Sequence, residues 1–358
     1  MVGTHVLRIA IRLIAGLVWA VVVILLMRLS STEVLKEEED RSISLLVWPL
    51  MIDAEKLIPF ERETGIKVYV NYYETPRELL YKMRISQGKG YDMMVAADHV
   101  MPALIKEGLL KPIDVRRLSF FNNINRYIKG RYFDPDNKFS IPYILSVYGL
   151  GIDREYFGYN QQSFSWRSLF EPDGHYRVSM TDVSMAAVML AGVYLFGSTR
   201  DVNSEERIEQ IEQLLIAQKE WVQLYTDIRG EDMLATKNCP VVMTIASDLW
   251  RIKQEYTHLD FVIPQEGSGM VIESFAVSKQ ASAEKVTACL KLLEYLYRPE
   301  VLYYHSSKYG FIPPLPSVDV SNLHLFIPTE QEFQRLSFLV GGISKERVDQ
   351  AWLKVMTS

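Results

Sequence analysis

The side chains of this 358-residue chain that could do chemistry are scattered, and none falls into a catalytic spacing. There is no Gly-x-Ser-x-Gly elbow, no Walker loop, no Gly-x-Gly-x-x-Gly after a strand and no His-Glu-x-x-His helix. The arrangements that activate a serine, cradle a phosphate or hold a catalytic zinc are therefore absent, and an enzyme is not expected. His99 is one of six histidines and lacks a His-x-x-x-His partner, so no metal site is read there. Two cysteines, Cys239 and Cys289, make neither a disulfide framework nor a zinc cluster. The net charge of −5 offers nothing to a phosphate backbone, so nucleic acid is not an expected partner. What is left are carboxylates and rings that could bind. Asp182 follows Thr181 and Asp248 follows Ser247, each at a helix start, where the carboxylate could cap backbone N–H groups or meet a ligand. Trp48 ends a strand, where the ring could cover core or face a cleft.

These residues need a scaffold, and length bounds it. With 48% hydrophobic residues the chain can fill a core, and 358 residues exceed the roughly 250 at which single cores stop growing, so two domains are expected. Leu13 to Met27 is an unbroken apolar run of 15 residues preceded by Arg8 and Arg12, a charged region followed by an export segment. Ile9 to Leu29 gives 21 residues, enough to span about 30 Å of hydrocarbon if Arg12 snorkels. Residues 1–29 are thus read as a signal peptide, either cleaved or retained as an anchor, that sends the rest of the chain outward. Lys36, Glu37, Glu38, Glu39 and Asp40 mark residues 30–41 as a solvated linker.

From Ser42 the pattern alternates strands and helices. Ile43 to Trp48 reads as a strand and Asp53 to Thr64 as a helix closed by Gly65. Ile66, Val68, Val70 and Tyr72 alternate with Lys67, Tyr69, Asn71 and Tyr73 at strand period. Thr75, Pro76 and Glu78 form a capping-box signature in which Glu78 reaches back to the cap nitrogen. Met93 to Ala96 is a buried strand, and Val100 to Glu107 a helix ended by Gly108. A second series follows: strand Arg177 to Met180, helix Ser184 to Phe196, a long amphipathic helix Ser204 to Tyr225, and strands Val241 to Ile245, Phe261 to Ile263 and Ser274 to Val277. Ser282 caps a helix carrying Val286, Cys289, Leu290, Leu293 and Leu296. The βαβα rhythm implies an α/β fold with a mainly parallel sheet covered on both faces.

The residues also carry a resemblance. Tyr91-Asp92-Met93-Met94-Val95, Lys106-Glu107-Gly108-Leu109-Leu110 and Ile113-Asp114 resemble the first lobe of bacterial spermidine/putrescine-binding proteins. Glu63-Thr64-Gly65-Ile66-Lys67-Val68, Phe133-Asp134-Pro135 with Ser140-Ile141-Pro142-Tyr143, Ser165-Trp166 with Leu169, and Leu292-Leu293 with Leu296 and Arg298-Pro299-Glu300-Val301 follow in the same order, over residues 43 to 316. The resemblance implies the two-lobed type II periplasmic-binding-protein fold with hinge crossovers. It places residues 42–145 with 272–316 in one lobe and 146–271 with 317–358 in the other, with ligand between them. Tyr143 to Tyr148 and Gly269 to Ser274 would be the hinges.

Polyamine binders of this family hold methylenes between aromatic rings and ammonium groups with carboxylates, because a desolvated cation needs a paired charge and a π-face. The resemblance makes Trp48 the cleft tryptophan, Glu273 beside Ser274 the acid near the second hinge, and Phe311 the aromatic beside the Gly-aromatic-Pro segment. It departs elsewhere. Asp98 and His99 replace part of a Ser-Thr-Tyr run, Val183 and Ala186 stand where the family has two amine-binding carboxylates, and Ile245 stands where it has a tryptophan. Asp98, Asp182 and Asp248 could restore charge if they face the cleft. Tyr303-Tyr304 is similar to the paired tyrosines of iron-binding relatives but lies in a helix, where packing accounts for it. The reading is an extracytoplasmic, periplasmic solute receptor of an ABC importer, for a polyamine or other small cationic amine. It would work as a monomer with an inner-membrane permease, without cofactor or metal, anchored by residues 9–29 if the export segment is kept. A different small solute, such as an amino acid or phosphonate, and a membrane-tethered sensor are the alternatives.

Overall fold

The computed structural model describes residues 16–20, 41–160, 163–226 and 229–358. Most of the export segment expected at 9–29, and nearly all of the linker at 30–41, lie outside the described residues. Gly16 to Ala20 is helical and exposed. Among the described residues no helix is long and apolar enough to cross a membrane.

The described residues form eleven strands: β1 (Ser42–Val47), β2 (Lys67–Tyr72), β3 (Met93–Ala97), β4 (Leu110–Lys111), β5 (Ile141–Asp153), β6 (Val178–Met180), β7 (Val222–Tyr225), β8 (Val241–Ile245), β9 (Leu259–Val262), β10 (Ser268–Ser278) and β11 (Leu336–Phe338). Their order is β2-β1-β3-β10-β5-β8-β6-β7, with β4 and β11 on β10 and β9 on β5. β1 pairs in parallel with β2 and β3, and β6 in parallel with β7 and β8. The long strands β5 and β10 run antiparallel to each other, β10 also to β3 and β4 and β5 to β8 and β9, while β11 adds to β10 in parallel; together they join the two parallel halves into a two-lobed mixed α/β fold. β5 pairs with β10 through Ile141 to Val147 and with β8 and β9 through Tyr148 to Asp153, so one strand serves both lobes.

Side chains of the first half-sheet alternate between two cores, as a sheet covered on both faces requires. Ile43, Leu45, Val47, Met93 and Val95 enter one core, while Leu46, Met94 and Ala96 enter the other with Tyr73, Leu79 and Met83. A further core joins β6 and the apolar helix Ser184–Phe196 to the C-terminal helix Lys345–Thr357. Gly149 marks the close approach of β9 to β5: a Cβ there would sit 2.6 Å from the Val262 carbonyl oxygen.

Two local expectations are corrected. The helix read from Ser204 to Tyr225 stops at Gln218, and its last residues form β7 instead, where Val222 and Tyr225 gain a parallel partner in β6. Thr75 does cap the helix Pro76–Ser86 through the Glu78 N–H, but the Glu78 carboxylate accepts from the Glu74 N–H at 2.7 Å, one residue ahead of the cap.

Candidate functional site

Parallel strands leave their carboxyl ends on one side of a sheet, and the residues that follow them line any crevice there. Trp48 follows β1, Tyr73 follows β2, and Asp98 and His99 follow β3. Tyr73 is locked by its backbone N–H to the Val47 carbonyl and by its hydroxyl to the Val95 carbonyl at 3.0 Å. The Trp48 ring stands half-buried, edge-on to it.

β10 brings the acid. Glu273 pairs with Ala97, the residue before Asp98, and the Asp98 N–H donates to the Ile272 carbonyl at 2.9 Å. The β5–β10 register shifts between Glu273 and Ser274, a bulge that re-aims side chains at this point. Burial pushes the Glu273 carboxyl up to about 7, with His99 opposing and Asp98 adding to the rise. Burial also raises Asp98, which is 2% exposed, against the pull of His99, whose Nδ1 lies 3.7 Å from its Oδ1. The Tyr73 phenol is raised by burial and by the Glu273 charge.

Three buried oxygens here have no hydrogen-bond partner: Asp98 Oδ2, Glu273 Oε2 and Ser274 Oγ. Buried polar atoms are ordinarily satisfied, and an orphan needs a reason. All three can accept a hydrogen bond. A concavity of about 350 Å³ on the outside of the first lobe, among Phe60, Glu63, Lys291 and Arg298, has no such orphan in its lining.

The structure thus brings together Trp48, Asp98, His99, Glu273 and Ser274. Phe311 is partly buried and packs against Tyr309; its neighbour Ile312 bridges Leu145, which pairs with Ile272, so it stands one strand over from the acid. Asp182 and Asp248 belong to the second lobe, after β6 and β8. Neither is an N-cap. The helix Ser184–Phe196 is capped at Val183 and Ala246–Lys253 at Ile245, both without a side-chain bond. Asp182 is exposed, whereas Asp248 is engaged by Arg251 at 2.8 Å. Tyr304 donates to Asp53 at 2.5 Å and Tyr303 accepts from Asn322, so that pair ties a helix to its neighbours. Cys239 and Cys289 are buried free thiols.

Sequence reasoning missed Tyr73 and Tyr132. Tyr132 donates to the Asp98 carbonyl at 3.3 Å and packs on Phe338 of β11 with ring centroids 5.5 Å apart. Strand alternation groups Tyr73 with Lys67, Tyr69 and Asn71, and the end of β2 at Tyr72 accounts for its turning inward.

A family model described as bacterial extracellular solute-binding protein matches residues 57–324. The chain is 23% identical over 341 residues to the putrescine-binding periplasmic protein SpuD of Pseudomonas aeruginosa, covering 88% of this chain and 92% of that one. It is 24% identical over 294 residues to the spermidine/putrescine-binding periplasmic protein of Salmonella typhimurium, covering 80% and 83%. Its fold is similar to that of the spermidine/putrescine ABC transporter substrate-binding protein PotD from Streptococcus pneumoniae, with a TM-score of 0.77 at 18% identity over 88% of this chain and 98% of that one.

Proposed function

The chain belongs to the bacterial extracellular solute-binding proteins, which are receptors and not enzymes, and we propose that it delivers a polyamine or other small cationic amine to an ABC importer. One observation carries this reading: three buried acceptors lack a partner, Asp98 Oδ2 just past the end of β3 and Glu273 Oε2 and Ser274 Oγ at the bulge in the middle of β10, with the Trp48–Tyr73 ring pair at the neighbouring strand ends. An ammonium group offers three N–H donors and one charge, which is what such a site lacks. The putrescine and spermidine specificities in the names of its relatives support the same class.

The working cycle is closure of the lobes about β5 and β10, near Tyr143 to Tyr148 and Gly269 to Ser274, followed by docking of the closed form to a membrane permease. The lobe boundaries follow from that hinge: 42–145 with 272–316, and 146–271 with 317–358. Phe311 would pack on the ligand from the first lobe, with Asp182 and Asp248 approaching from the second. The compartment is extracytoplasmic.

A thermal-shift screen of the purified protein against diamines, polyamines, amino acids and anions tests the reading. A true ligand at 100 times its dissociation constant adds about 2.7 kcal/mol of stability. Stabilisation by an amino acid or an anion, with none by any amine, would overturn it.

A further inference from the structure

We infer that Asp98 is a second anionic ligand residue beside Glu273, and that a cationic head group binds here by expelling one proton that the two carboxylates hold between them. The inference rests on the amine reading of this site. Its basis is the geometry of one ladder rung: Glu273 is paired with Ala97, Asp98 is the next residue, and its N–H closes on Ile272 of the same strand. Each carboxylate keeps one buried oxygen with no partner. Two carboxylates on neighbouring positions disfavour each other's ionisation, and burial disfavours it further, so without a cation the pair retains a proton.

The groups that face the pair do not supply that cation. His99, from the β3 end, lies 3.7 Å from Asp98, and its pull on the two acids is outweighed by burial. Tyr73, from the β2 end, gives its hydroxyl proton to the Val95 carbonyl, and Tyr132 gives its own to the Asp98 backbone carbonyl. Among the described residues no lysine or arginine forms an ion pair with either carboxylate. Burial raises both carboxyl groups, as a retained proton requires. The exchange balances without covalent chemistry: the pair with one proton carries one negative charge, the bound ammonium cancels one of two, and the released proton goes to buffer.

Calorimetry with putrescine at about pH 6.5, in phosphate and in Tris, reads the proton directly from the dependence of the heat on buffer ionisation, and about one proton released per putrescine is expected. His99→Gln should still release it, which separates the carboxylates from the imidazole. Asp98→Asn and Glu273→Gln should each reduce release well below one proton, because burial still raises the remaining acid but its charged partner is gone, and should weaken binding at about pH 8 roughly tenfold or more. Each variant's melting curve checks that it is folded. Putrescine binding without proton release, or release unchanged in Asp98→Asn, overturns this inference alone. Failure of every amine to bind the wild type removes the amine reading and the inference together.

Discussion

Trp48 meets Tyr73 nearly at right angles, the rings inclined by 80° with centroids 5.5 Å apart. The contact joins the ends of β1 and β2, and it fixes the orientation of a half-buried indole that would otherwise have several rotamers at a strand end. Tyr73 is itself held by two hydrogen bonds, so the orientation passes from the backbone of β1 and β3 to the tryptophan.

Trp48→Ala should therefore weaken putrescine binding by roughly 1 to 3 kcal/mol, through loss of the ring face that meets the ligand. Trp48→Phe should recover much of it. Titration calorimetry measures the loss, and a melting curve of the ligand-free protein measures packing. A large drop in ligand-free stability with affinity intact would make Trp48 a core residue.

Glu273→Gln separates charge from shape. In the folded protein its carboxyl titrates near 7 against an ordinary 4.5. A raised value means that this group's stabilisation of the ligand-free fold is complete below about 4.5 and is lost as pH rises through about 7. The melting temperature of the variant should accordingly fall less than that of wild type between those limits, while its amine affinity is reduced. An unchanged pH profile in Glu273→Gln would place the titration elsewhere.

Much of this scaffold is legible in the chain because it is local. The left-handed caps Gly65 and Gly197, the side-chain caps Thr75 and Ser282 and the strand Val241–Ile245 depend on neighbours within a few residues, and each forms where its sequence signal lies. What is not legible depends on partners far along the chain. β7 looks helical until β6 offers it a parallel edge. The alternation of β2 places Tyr72 inside and Tyr73 outside, yet Tyr72 is 48% exposed and Tyr73 2%, because β2 ends between them and Tyr73 follows the Val47 carbonyl. The placement of Asp98 next to the Ala97–Glu273 rung rests on antiparallel register between β3 and β10, strands far apart in the chain, which no spacing announces.

His305 should govern acid stability. Its Nε2 accepts the Asp53 N–H at 3.3 Å, leaving Nδ1 as the protonated nitrogen facing the Tyr143 hydroxyl of β5 at 2.9 Å. Burial lowers its titration to about 4 from the usual 6.5. A depressed value means stability that is fully present above about 6.5 and is lost as pH falls through about 4, on the order of 3 kcal/mol in all. Asp53 lies lower still: against the push of burial, hydrogen bonds from Lys308 and Tyr304 hold it at about 2. Denaturant unfolding across this pH range should show the loss in wild type and not in His305→Gln. A parallel loss in both would assign it to other groups.

On the proposed reading, the second lobe should set which amine fits. Ala186 is fully buried in the helix Ser184–Phe196, and Val183 caps that helix without a side-chain bond, so the positions where the polyamine-binding pattern needs two acids carry no charge. Asp182 beside them is exposed, and Asp248 is already engaged by Arg251. A cation anchored at Glu273 can be neutralised, but the far ammonium of a long polyamine would be desolvated unpaired, which costs several kcal/mol, more than extra methylenes return at about 0.8 kcal/mol each. Spermidine should then bind less than roughly tenfold more tightly than putrescine in competition calorimetry. Val183→Glu, at a partly exposed position, should shift that ratio toward spermidine. A wild-type preference for spermidine of more than tenfold, left unchanged by Val183→Glu, would mean that the second lobe neutralises the far end by another route.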